Sequence, residues 1–268
     1  MGRERKESGV LFSQALGAGP DAIVLLHGFM GSGRNLRTLA QRWSERDPAL
    51  RFLMLDLTGH GRSPALPEGA DLSTLARDVV QTARAEGIAG KLRIVGHSLG
   101  GRVGLQAILD VPDEVGAVVL LDVAPGPVDP RWETGPVLEA LRSAPARAQS
   151  RDEIRAHFAA RGLSQGHAEW LLTNLVRDGE EFVWRIDREA LAALHARTRD
   201  ADLWDALEAG VPVRCIRGGA SPFVTEADVF RMETLGCPVE TVAGADHYLH
   251  VTHTEEVAAR LANAGIVR

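Results

Sequence analysis

Cysteine, lysine and long apolar runs are the notable shortages of this 268-residue chain. Two cysteines, Cys215 and Cys237, cannot build a disulfide framework, and neither sits in a CxxC pair. Reduced thiols in a cytoplasmic setting are the reading that fits. No stretch approaches the roughly 20 apolar residues of a membrane helix. The charged start, Met1 to Ser8, leads into no apolar signal segment, so no membrane partner is expected. A basic surplus is missing too: 30 Lys and Arg stand against 36 Asp and Glu, a net charge of −6. A broad nucleic-acid footprint needs the opposite balance, so no nucleic-acid partner is expected. Only Lys6 and Lys91 are lysines, an arginine bias that reads as genomic base composition before chemistry.

What is present is an ordinary globular composition, 45% hydrophobic and 25% charged. A chain this long buries roughly 75% of its unfolded surface. Short β-rich runs recur at Ala22–Leu26, Arg51–Leu57, Leu92–Val95, Val115–Val123, Val211–Ile216 and Val239–Val242. Most are continuous rather than alternating, as in central parallel strands covered on both faces. A weak opening hairpin spans about Val10 to Leu16. Helical patterns run from Leu72 to about Glu86, over Leu99–Leu109, over Thr225–Leu235 and over Thr254–Ala262. The alternation predicts a mostly parallel, doubly wound α/β sheet. The rhythm breaks at Pro125-Gly126-Pro127 and Pro130. About eighty mainly helical residues follow, with one candidate strand, Phe182–Ile186, far more than an ordinary αβ loop of about 2–6 residues. The predicted organisation is a core from residues 1–124 and 211–268, with residues 125–210 inserted as a helical cap over the C-terminal edge of the sheet.

The chemistry centres on Gly96-His97-Ser98-Leu99-Gly100, directly after one predicted strand and directly before a helix. This is G-x-S-x-G in the strand–turn–helix setting of a nucleophile elbow. Gly96 and Gly100 let a very tight turn hold Ser98 at its tip, where the helix N-terminus favours negative charge. A serine hydroxyl needs a base. His247, in the loop after the last strand, is the best placed of nine histidines; His27 and His60 read as structural braces, and His157, His167 and His195 as surface or cap-packing residues. His247, His250 and His253 also make a spaced trio, but metal binding is the weaker reading and no metal is expected. The base needs an orienting carboxylate. None lies in Gly218–Phe223, where one is usually sought; Asp122 at a strand end is favoured, with Glu226 and Asp228 as rivals and Asp246 badly placed to reach the ring of His247. The backbone N–H groups of Leu99 and of Phe29, in His27-Gly28-Phe29-Met30-Gly31, are candidates for an oxyanion hole. Apolar lining is expected from Met30, Phe223 and Tyr248 of core loops and from Trp170, Phe182 and Trp184 of the cap.

With those residues in place, the chain resembles the α/β-hydrolase superfamily, through His27-Gly28-Phe29, Gly59-His60-Gly61-Arg62-Ser63, the Gly96–Gly101 elbow and Asp246-His247. Within it the chain is similar to small capped bacterial esterases and their mitochondrial relatives, which show LDxAP, here Leu121 to Pro125, and RGGxSxxV, here Arg217 to Val224. The resemblance implies Ser98 as nucleophile, His247 as base, the Phe29 and Leu99 amides as oxyanion hole, and Asp122 as the acid replacing the usual late one. It implies a serine hydrolase of small-molecule carboxylic esters with no cofactor. Thioester or carbon–carbon bond cleavage, a lyase reaction, and a non-catalytic receptor on the same scaffold stay open, as does a homodimer.

Overall fold

A computed structural model of the chain describes residues 10–129 and 134–263. Met1–Ser8 and Pro130 therefore lie outside the described residues. The elements, in chain order, are β1 (Ser13–Leu16), β2 (Asp21–Leu26), α1 (Arg37–Ser44), β3 (Leu50–Leu55), α2 (Leu72–Ala85), β4 (Leu92–His97), α3 (Leu99–Asp110) and β5 (Val115–Leu121). Then come α4 (Thr134–Arg142), β6 (Arg147–Ala148), α5 (Arg151–Ala159), α6 (Gln165–Leu172), β7 (Leu175–Asp178), β8 (Glu181–Trp184) and α7 (Arg188–Thr198). The chain closes with β9 (Val213–Gly218), α8 (Glu226–Thr234), β10 (Val239–Val242), α9 (Leu249–Thr252) and α10 (Thr254–Asn263).

Seven strands form one sheet in the order β1-β3-β2-β4-β5-β9-β10. All neighbours are parallel except β1, which runs antiparallel to β3. The expected opening hairpin is thus replaced by a non-local pairing, Ser13 opposite Leu55. Strand side chains alternate between two apolar layers. Ile23, Leu25, Phe52 and Met54 pack with Leu39 and Trp43 of α1 and with Val257 and Leu261 of α10. Val24, Leu26, Leu53 and Ile94 pack with Leu75 and Val79 of α2 and Val103 of α3. Burial on both faces is why these strands read as continuous apolar runs. Among the described residues no helix is long and apolar enough to cross a membrane.

The chain leaves β2 to make β3 on one side and returns to make β4 on the other. The crevice beyond the carboxyl ends of β2 and β4 is therefore a topological switch point, where open α/β sheets place ligands. Leu26 lies opposite Gly96 in that pair, so the loops carrying Phe29 and Ser98 emerge side by side.

Residues 125–210 are less helical than the sequence predicts. Besides α4 to α7 they contain a three-stranded antiparallel sheet in the order β6-β8-β7. The expected strand Phe182–Ile186 is its central member, observed as Glu181–Trp184. Alternation over runs of two to four residues is too short to announce a sheet.

Candidate active site

Ser98 is the single residue between β4 and α3, with φ 50 and ψ −116. A Cβ on Gly96 would lie 2.2 Å from the carbonyl carbon of Gly100, and one on Gly100 would lie 2.4 Å from the Leu26 carbonyl oxygen. Only hydrogen fits at either position, so the glycines permit the elbow. The Ser98 N–H donates to the Leu121 oxygen at 3.1 Å, joining the elbow to the end of β5.

Asp122 follows β5 directly and is fully buried. Its Oδ1 accepts the Gly218 N–H at 2.8 Å, and its Oδ2 accepts the Ser221 hydroxyl and Nδ1 of His247, the latter at 2.7 Å. These charge-assisted bonds offset the desolvation of a buried carboxylate. An ionised carboxylate only accepts, so Nδ1 carries the proton and Nε2 of His247 is the accepting nitrogen. Phe223 stacks on the His247 ring, centroids 3.9 Å apart. His97 donates from Nε2 to the His247 carbonyl oxygen at 2.8 Å, fixing the loop from its other side. Burial, then the neighbouring His250 and His247, hold His97 well below the ordinary imidazole range.

The rival acids are engaged elsewhere. Glu226 is exposed and pairs with Arg217 at 2.5 Å. Asp228 accepts the Thr225 N–H at 2.9 Å as part of the cap of α8. Asp246 accepts the Tyr248 N–H at 2.9 Å. Of the histidine trio, His247 and His250 both pack their rings against His97, at 4.6 and 4.2 Å, while Nδ1 of His253 sits 3.0 Å from the Thr252 hydroxyl. His27 is satisfied at both nitrogens, donating to the Gly28 oxygen at 2.7 Å and accepting from Leu57 N–H at 2.9 Å. Burial pushes it down to about 4.

Among the described residues, neither the Phe29 nor the Leu99 N–H donates to a protein acceptor. Both residues border a cavity that also reaches Ser98. Met30, next to Phe29, is held at φ 58, and its carbonyl accepts from Asn174 Nδ2 at 2.8 Å. A residue of the 125–210 segment thereby braces the loop after β2.

Two cavities meet at Ser98. The smaller, about 270 Å³, is bordered by Leu99, Val123, Ala124 and Phe223, and by Arg102, His195 and Thr198. The larger, about 560 Å³, is bordered by Met30, Trp170, Tyr248, Phe223 and His247. Of the expected lining residues, Phe182 and Trp184 border neither cavity, contrary to expectation. Phe182 lies beneath Arg151 and Arg177, at 5.4 and 5.7 Å. Trp184 donates to the Pro145 oxygen at 2.8 Å and packs beside Phe158. Both are committed to the small sheet's own packing.

Three neighbours of the site escaped the sequence reading: Ser221, Asn174 and His195. His195, read as surface or cap packing, faces Phe29 across 5.1 Å. It shares one face of α7 with buried Leu191 and Thr198, so its i+4 and i+3 spacing to them was the available signal.

A family model described as the alpha/beta hydrolase fold matches residues 21–204. The chain belongs to the alpha/beta hydrolase fold family. This hydrolase is 28% identical over 236 residues to the mouse sn-1-specific diacylglycerol lipase ABHD11, covering 85% of this chain and 76% of that one. It is 28% identical over 240 residues to the Escherichia coli esterase YbfF, covering 88% and 89%. A solved marine microorganism esterase shares its fold, with TM-score 0.84 at 23% identity over 96% of this chain and 99% of that one. The hydrolase is an enzyme by family and by relatives.

Proposed function

We propose that this chain is a serine hydrolase of carboxylic esters that works through an acyl-enzyme on Ser98. The observation that carries the reading is the 2.7 Å bond from His247 Nδ1 to buried Asp122, which leaves Nε2 as acceptor on a residue bordering the same cavity as Ser98. Ser98 Oγ attacks the ester carbonyl carbon while Nε2 takes its proton. The Phe29 and Leu99 N–H groups receive the tetrahedral oxyanion, each worth about 3–4 kcal/mol in the transition state. The acyl–oxygen bond then breaks, and His247 returns the proton to the departing alcohol. Water repeats the sequence, releasing the acid and restoring Ser98. Side chains and amides supply every step, so the reaction calls for no cofactor. Residues 125–210 act as a cap, since Trp170 and His195 border the two cavities. The ester bond as substrate is supported by the names of the relatives, esterases and a diacylglycerol lipase.

Ser98→Ala should lower turnover of p-nitrophenyl butanoate by about 10⁴-fold or more, with an unchanged thermal melt. Wild-type turnover in the folded variant would overturn the assignment. Fluorophosphonate should label the wild-type chain at Ser98 and leave the variant unlabelled.

A further inference from the structure

We infer that the site is built for esters of short acyl groups with bulky apolar alcohols, rather than for long-acyl esters of small alcohols. The inference rests on the ester-hydrolase reading and deepens it. Its basis is which catalytic group borders which cavity. Ser98, Phe29 and Phe223 border both, His247 borders only the larger, and Leu99 borders only the smaller.

The tetrahedral centre on Ser98 Oγ has three further directions. One is the oxyanion, toward the Phe29 and Leu99 amides. The second is the leaving oxygen, which must come within about 3 Å of His247 Nε2 to receive its proton. That requirement carries the alcohol into the larger cavity. The third direction, past Leu99, takes the acyl substituent into the smaller cavity. In the reaction the carbonyl carbon–alkoxy oxygen bond breaks, the alcohol leaves with the proton taken from Ser98, and the acyl group stays on Oγ until water displaces it.

The two spaces differ in size and chemistry. The alcohol side offers about 560 Å³ walled by Met30, Val137, Trp170 and Tyr248. Tyr248 and Trp170 rings lie 5.9 Å apart there, forming an aromatic wall. The acyl side offers about 270 Å³, and its border includes the polar side chains of Arg102, Thr198 and Asp228. Arg102 is itself buried and engaged with backbone oxygens at Gly126 (2.6 Å) and Ala201 (2.6 Å), so it cannot swing aside to extend the space. A long alkyl chain would have to lie against polar groups to which it can offer no hydrogen bond.

Octyl acetate and ethyl octanoate test this directly, because they are isomers of equal apolar content with the chain on opposite sides of the ester. The wild-type enzyme should show kcat/KM about tenfold or more higher for octyl acetate. Equal values, or preference for ethyl octanoate, overturn the partition while leaving an ester hydrolase. Failure to turn over either of them and every other simple ester overturns the hydrolase reading and the partition with it. Two variants give a second readout. Trp170→Ala should reduce kcat/KM increasingly as the alcohol of an acetate is lengthened. Ala124→Leu should reduce it increasingly as the acyl group of an ethyl ester grows from acetyl to butanoyl. The reverse pattern, with Trp170→Ala sensing acyl length and Ala124→Leu sensing alcohol length, overturns the assignment of sides.

Discussion

Met30, Ser98 and Asp122 are the non-glycine residues with left-handed φ among the described residues, at 58, 50 and 54. Such backbone costs on the order of 1–3 kcal/mol per residue and persists only where surrounding structure enforces it. The three sit at the loop after β2, the elbow and the end of β5, the places from which a proposed oxyanion donor's neighbour, nucleophile and acid are aimed. Asp122 shows how closely the aim is set. The Gly218 N–H is a fixed donor to its Oδ1, so in Asp122→Asn the single amide oxygen turns to Gly218 and the NH₂ faces His247. Nδ1 of His247 must then accept, its proton moves to Nε2, and Nε2 can no longer take the Ser98 proton in the proposed reaction. The expected outcome is a kcat about 10³–10⁴-fold lower with a folded chain, measured on p-nitrophenyl butanoate; near-normal kcat would move the acid elsewhere. The juxtaposition of His247 with Asp122, and of both with the elbow at Ser98, was legible because a motif, a loop position and a strand end constrain each residue. Ser221 and Asn174 were not: their partners Asp122 and Met30 lie 99 and 144 residues away in sequence, and nothing local marks such a bond.

The strands and long helices follow from composition because each is buried on a predictable face. Predicted Val239–Val242 and Leu72–Glu86 agree with β10 and α2 to within a residue, and Asp71 caps α2 by accepting the Thr74 N–H at 2.9 Å. Helix α1 was not legible. It has eight residues, and its buried Leu39, Ala40 and Trp43 fill barely two turns. The small sheet of the 125–210 segment was hidden for the same reason. One side chain of α3 ties both ends of that segment to the core. The Arg102 guanidinium donates to backbone oxygens of Ala124 and Gly126 at the segment's start, and of Thr198 and Ala201 near its end. Thr198 closes α7, so the cation also meets the negative end of a helix dipole. Burial pushes the guanidinium down to about 10, and nearby Asp202 opposes the shift. Arg102→Met should leave those oxygens unpaired, destabilise the chain by about 3 kcal/mol and expose the segment to limited proteolysis before the core. An unchanged melt and an unchanged cleavage pattern would show that the fastening lies elsewhere.

Across the whole molecule, two apolar layers sandwich the sheet, and several histidines are buried at its carboxyl edge. His27 is held down to about 4, His60 and His250 to about 3, all from an ordinary 6.5 and all chiefly by burial. His60 donates to the Thr58 oxygen, while its Nε2 has no hydrogen-bond partner; His27 opposes its charging and Asp56 favours it. Below pH 6.5 the unfolded chain takes up protons at these positions, while the folded chain takes up few until about pH 4. Stability from these groups is therefore full above pH 6.5 and falls as the solution is acidified toward their folded values. At pH 5 the loss is on the order of 2 kcal/mol for each such histidine. The melting temperature should therefore drop between pH 7 and pH 5, before acid inactivation of any carboxylate network sets in. His60→Gln removes one of these titrating groups and should shrink that drop, even if the variant melts lower at pH 7. Differential scanning calorimetry of both proteins at the two pH values is the measurement. Equal melting temperatures at pH 7 and pH 5 in the wild-type chain would mean that these rings are solvated enough to charge in place.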